Sequence, residues 1–144
     1  MPGPRQRPIG LQVSRTAKAL ARAFDDAMAA AGGATSTWLV LLSLKTGATR
    51  TQADLATAVG VRGPTMTHHL DGLEQAGLVT RERVQGNRRV QQVSLTDEGE
   101  AMFDRLRQVA VAFDRRLRAG LSAAEEAELR RLLDALESNV GRPS

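Results

Sequence analysis

Apolar residues recur every three to four positions through most of the chain, and the exceptions to that rhythm mark its joints. In residues 9–31, Ile9, Val13, Leu20, Phe24, Ala27 and Met28 make one stripe. This predicts a long amphipathic helix, ended by Gly32-Gly33. Residues 35–44 carry Trp38, Leu39, Leu41, Leu42 and Leu44. That segment is apolar nearly all round, which predicts a helix inside the core. Residues 45–49 read as a loop. Thr51 then stands where a helix N-cap belongs, with Asp54 placed to reach back to it. Leu55, Ala56 and Val59 give a short buried face, and Gly60 supplies the positive φ that ends the helix. Pro64 suits the first turn of a second helix. Its buried face is Met66, Leu70 and Leu73, and Gly77 closes it.

The period then changes. Residues 79–84 and 89–95 are strand-like runs, and Gln85-Gly86-Asn87-Arg88 between them suits a two-residue turn with Gly first. Helical spacing returns after Thr96, the expected cap, with Met102, Leu106, Val109, Phe113 and Leu117 leading to Gly120. Ser122 and Glu125 form a full capping box for a last helix, striped by Leu129, Leu132, Leu133, Leu136 and Val140. Residues 1–8 read as a frayed tail or an arm that touches a partner, and residues 142–144 as a tail.

The spacing of Gln52, Ala56, Gly60 and Met66 carries more than any one of them. A small residue at 56 lets the second helix cross close to the first, Gly60 makes the turn, and Met66 locks the crossing. That is the logic of a helix-turn-helix, whose second helix enters the major groove of DNA. The hairpin after it is a wing. The fold class is thus mainly α with a small β-hairpin wing, in one domain over residues 1–144. Residues 35–95 form the winged helix-turn-helix, and residues 9–31 and 96–140 flank it as helices. One small module cannot bury the stripes of three long helices. The economical solution is a twofold dimer in which the terminal helices of two chains interlock; the other is packing on their own module.

Composition changes this picture little. The chain has 144 residues and a formal net charge of +4, a mild bias towards a polyanionic partner. It has no cysteine, which excludes disulfides, thiolate metal sites and thiol-based sensing. No apolar run approaches the roughly 20 residues of a membrane span. The first ten residues lack the apolar core of a signal peptide, so the expected location is the cytoplasm and no membrane partner is expected. The only two histidines, His68 and His69, are neighbours and point about 100° apart on a helix, which is poor for a metal site. No phosphate loop, dinucleotide fingerprint or nucleophile elbow is present. The expectation is a protein with no metal, no cofactor and no catalysis.

The stretch GVRGPTMTHHLDGLEQAGLVTRERVQGNRRVQQVSLTDEG resembles the winged helix-turn-helix of MarR-type transcriptional regulators. The Pro-Thr-x-Thr opening, the LDGLEQAGLV continuation and the RR…SLTDEG passage carry the likeness, and the flanking helices match in order and length. The resemblance implies a very short strand near residues 45–49 that completes the wing sheet. It also implies a cytoplasmic homodimer that binds double-stranded DNA at a palindromic operator, with flanking helices that dimerise. Repression by occlusion and release by a small aromatic or anionic effector follow from the same likeness. Residue by residue, Pro64, Thr65, Thr67 and His68 fall on the DNA face of the recognition helix. Arg89 matches a wing-tip arginine that enters the minor groove, with Arg88 as a backbone contact.

Arg81 and Arg83 add to the wing's charge, and arginine suits the narrow, negative minor groove. This chain departs from the common pattern at Arg62-Gly63, often Ser-Arg; at His68, often Arg; and at Asn87, usually acidic. Arg62 is placed to replace the missing charge. A cleft where the reader module meets the dimer helices is expected to hold the effector, lined by Phe24, Met28, Trp38, Leu42 and His69. The rival reading is a winged-helix module that binds protein without reading DNA, and four wing arginines count against it.

Overall fold

The computed structural model describes residues 6–47 and 51–141, with the side chain of Arg88 excepted. The tails at residues 1–5 and 142–144, and residues 48–50 of the expected loop, lie outside the described residues. The order is α1 (Ile9–Ala30), α2 (Thr35–Lys45), α3 (Gln52–Val59), α4 (Gly63–Gln75), β1 (Val79–Val84), β2 (Asn87–Leu95), α5 (Asp97–Leu117) and α6 (Ala123–Val140). The expected elements are all present, and their ends shift by one or two residues. The described residues form two compact units, Met1–Ala110 and Val111–Ser144.

Local chemistry explains the joints of the first unit. The side chain of Thr51 caps α3 by accepting from the Asp54 amide at 3.2 Å. The return bond expected from the Asp54 carboxylate does not form, so only half of the capping box is built. Gly60 ends α3 at φ 78°, a left-handed conformation that a side chain would strain. Pro64 sits in the first turn of α4. The rear of α4 brings Met66, Leu70 and Leu73 into one core with Leu55 and Ala56 of α3, Val40 and Leu41 of α2, and Phe103 and Leu106 of α5. That core holds the two helices of the turn at a fixed crossing, so the opposite face of α4 is presented rather than wandering.

The two strands pair antiparallel, Val79 opposite Leu95 through Arg83 opposite Gln91. The register then shifts, because Val84 pairs with Asn87. The turn is therefore Gln85-Gly86 with Gly86 second, at φ 84°, not first as expected. The second strand accordingly starts at Asn87 rather than at 89. The shift leaves residues 88–90 without ladder partners in β1, and such a bulge re-aims side chains at the rim of a sheet. An isolated bridge from Thr51 to Gln92 stands beside the position where the short third strand was expected.

Thr96 fastens the wing to the recognition helix. Its hydroxyl donates to the Gly77 carbonyl at 2.5 Å and accepts from the Gly99 amide at 3.0 Å, and its own amide donates to the Leu78 carbonyl at 3.1 Å. One residue thus caps α5 and ties down the exit of α4. Gly99 lies so close that an added Cβ would stand 2.1 Å from the Leu78 carbonyl oxygen. Further along, Lys45 meets Glu100 at 2.6 Å and lies 5.8 Å from the centre of the Phe103 ring, and Trp38 stacks on that ring at 5.5 Å.

The second unit contains the end of α5 and all of α6. Arg118 bridges Asp114 at 2.9 Å and Glu126 at 3.5 Å across the turn between them. Ser122 and Glu125 exchange both bonds of the capping box, at 2.9 and 3.1 Å. No residue of α6 is buried, and Leu129, Leu132 and Leu133 are close to half exposed. Among the described residues, no single helix is long and apolar enough to cross a membrane.

Candidate nucleic-acid interface

With its rear sunk in the core, α4 shows Pro64, Thr65, Thr67 and His68 to solvent. Arg62 occupies the N-cap position, also exposed, with no side-chain bond to the helix. Beside α4 the hairpin carries Arg83 and Arg89, both exposed. Arg62, Arg83 and Arg89 make no ion pair among the described residues, so their charge is available to a partner. Arg89 is set by the bulge, and its amide is held by the Asn87 side-chain oxygen at 3.2 Å. Asn87 thus serves the wing tip through backbone geometry where an acidic residue would serve it through charge. The side chain of Arg88 lies outside the described residues.

Arg81 has a different position from the other wing arginines. It reaches from β1 to the flank of α4 and pairs with Asp71 at 2.5 Å and Glu74 at 3.1 Å, with its side chain only 14% exposed. The hydrogen bond to Glu74, and then that to Asp71, holds the guanidinium above its ordinary value, and the same bond holds the Glu74 carboxyl below its own. This arginine is committed to the protein. It clasps the wing to the recognition helix and neutralises carboxylates that would otherwise face a polyanion. The sequence grouped it with the DNA-facing arginines because nothing local shows that Asp71 and Glu74 come alongside it.

Between α4, the start of α3 and the wing runs an open groove of about 940 Å³. Gln52, Thr67, Asp71, Arg81, Arg89 and Gln91 are among its lining residues. Here Thr67 differs from the other exposed residues of α4. Its hydroxyl already donates to the Gly63 carbonyl at 3.1 Å and accepts from Gln52 Nε2 at 2.5 Å. Gln52, which sequence reasoning treated only as a spacing position, is therefore part of this surface.

The five residues expected to line an effector cleft do not come together in one cavity. Met28 is completely buried, and Phe24, Trp38 and Leu42 pack against the core around it. Their apolar character is used in folding, with Trp38 occupied by Phe103. Only His69 of the five faces a cavity of about 440 Å³ behind α4. His68, Ser36, Thr37, Gly72 and Met102 help to line it, along with the Gly32-Gly33 turn. Among the described residues no cluster of three or more His, Cys, Asp or Glu could hold a metal ion.

Comparison with known proteins gives a consistent result. The family model described as MarR family matches residues 35–90. The solved structure of the transcriptional regulator PA3341 is 30% identical, with 92% of this chain and 98% of that one covered and a TM-score of 0.76. The transcriptional repressor CouR, bound to a 23-mer DNA duplex, is 27% identical, with 90% and 92% covered and a TM-score of 0.78. A mutant of MarR from E. coli, complexed with operator DNA, is 25% identical, with 90% and 93% covered and a TM-score of 0.79.

Proposed function

The chain belongs to the MarR family, and we propose that it acts as a homodimeric repressor whose two recognition helices enter successive major grooves of a palindromic operator. That it is a DNA-binding transcriptional regulator, and not an enzyme, follows from its family. The observation that carries the finer reading is the unpaired cationic wing, Arg83 and Arg89, set by a clasp and a bulge beside the exposed face of α4. A helix sized for the major groove with arginines at one side matches the spacing of adjacent grooves. Pro64, Thr65 and His68 are the residues nearest base edges in this reading, and Arg62 and Arg88 are backbone contacts.

The dimer is supported by the apolar residues left exposed. Leu117, Leu121, Leu129, Leu132 and Leu133 are each more than 40% exposed, and Ile9 and Val140 more so. A second copy related by a twofold axis would cover such stripes and place two recognition helices symmetrically. CouR is a repressor, which supports the same direction of regulation here.

Release by a small aromatic or anionic molecule is supported by the cavity behind α4. An occupant beside His69, Ser36 and Thr37 would touch the rear of the recognition helix. It would lower DNA affinity only by its preference for the conformation that does not bind.

Selection from a random duplex library by the purified protein tests the reading. An imperfect palindrome with half-sites about 10 base pairs apart is expected to emerge. A library that shows no enrichment after several rounds would instead favour a module that binds protein.

A further inference from the structure

We propose that Gln52, on the helix before the recognition helix, contacts a DNA phosphate, and that Thr67 is the positioning residue that aims it. The proposal rests on the DNA-binding reading above and assigns roles within it. A threonine hydroxyl has one proton to donate. In Thr67 that proton is given to the Gly63 carbonyl one turn back, at 3.1 Å. The oxygen therefore shows only lone pairs to Gln52, so the NH2 end of the carboxamide must face it, as the 2.5 Å contact from Nε2 has it. Thr67 has no donor left for DNA, whose phosphate oxygens only accept.

Gln52 keeps what Thr67 has lost. One N–H of its carboxamide is used, and the second N–H and the carbonyl oxygen make no other hydrogen bond among the described residues. The group lines the groove between α4 and the wing, with Arg89 and Gln91 also on its walls. When α4 lies in a major groove and the wing in the neighbouring minor groove, the strand that divides those grooves runs along this channel. A phosphate there meets the free N–H of Gln52. Because the amide is neutral, the contact fixes the position of the helix without releasing a counterion.

These roles separate in a double-mutant cycle, read by fluorescence anisotropy at several salt concentrations. The probes are the duplex selected by the wild-type protein and a scrambled duplex of the same composition. Gln52→Ala is expected to weaken both by about tenfold, in keeping with a lost hydrogen bond to a charged group, with the salt slope unchanged. Thr67→Val should weaken binding alone but add nothing in the Gln52→Ala background, and Thr67→Ser should restore it. Thermal unfolding of each variant controls for folding, and Gln52 sits at an exposed helix start where truncation is benign.

Unchanged affinity in Gln52→Ala overturns the proposal. So does a Thr67→Val loss that persists in the Gln52→Ala background, since Thr67 would then be a contact of its own. A change in the selected sequence, without a loss on scrambled DNA, would make Gln52 a base reader and overturn the phosphate assignment. If the wild-type protein binds neither duplex, the regulatory reading fails first, and the proposal with it.

Discussion

Replacing Arg89 with alanine is expected to lower affinity for the selected duplex by about tenfold, equivalent to roughly 1.4 kcal/mol. The slope of log affinity against log salt should flatten by about one unit. The expectation comes from three features of the side chain. It is exposed, it makes no ion pair within the protein, and the register shift after Arg83 turns its segment out of the ladder. Arg81→Ala provides the contrast. That arginine already serves Asp71 and Glu74, so its loss frees two carboxylates on the flank of α4 and loosens the wing. Binding should fall through geometry and repulsion. The Arg81→Ala protein should also lose thermal stability, whereas Arg89→Ala should not. Titrations of both variants over a range of salt, with melting curves alongside, check the pair. Equal affinity and salt slope in Arg89→Ala and wild type would remove Arg89 from the interface.

Gly99→Ala is expected to be among the most destabilising single substitutions in the chain. The new Cβ would lie 2.1 Å from the Leu78 carbonyl oxygen and 3.3 Å from Leu95 Cδ2. The oxygen is backbone and already accepts from Thr96, so it cannot swing aside like the end of a side chain. The first turn of α5 must move away, and the Thr96 joint goes with it. Overpacking of this kind costs about 3 kcal/mol, a fall in melting temperature of roughly 10 °C for a chain of this size. Gly10 is the matched control. It lies in α1 with nothing within 4 Å of an added Cβ, so Gly10→Ala should hold or raise stability. Denaturant or thermal unfolding of the two variants decides the matter. A Gly99→Ala protein that melts with wild type would show that the joint yields.

Those two residues also show where the sequence was informative and where it was not. Helices and their ends were legible because the signals are local. Thr51, Gly60, Ser122 and the stripes of α1 and α6 act within a turn or two of themselves. The helix-turn-helix was legible because Ala56, Gly60 and Met66 impose one crossing. What failed to show was side-chain pairing between elements distant in sequence. Arg81 looks like Arg83 and Arg89 until β1 is laid against α4. Phe24, Trp38 and Leu42 have the composition of a pocket, but the stack of Trp38 on Phe103 makes them core. The turn order was missed because the ladder skips residues 88–90 rather than running in simple register. Gly99 gave no signal, since the atom it must avoid belongs to Leu78.

The central claim is that two copies of this chain hold two recognition helices at one helical repeat. The affinity of the wild-type protein for duplexes whose selected half-sites are moved apart, one base pair at a time, tests it most directly. Binding is expected to collapse once about five base pairs are inserted, because the second half-site then faces away from the protein, about half a turn of the duplex. Affinity that stays level across the series would mean that each copy binds on its own, and would contradict the account.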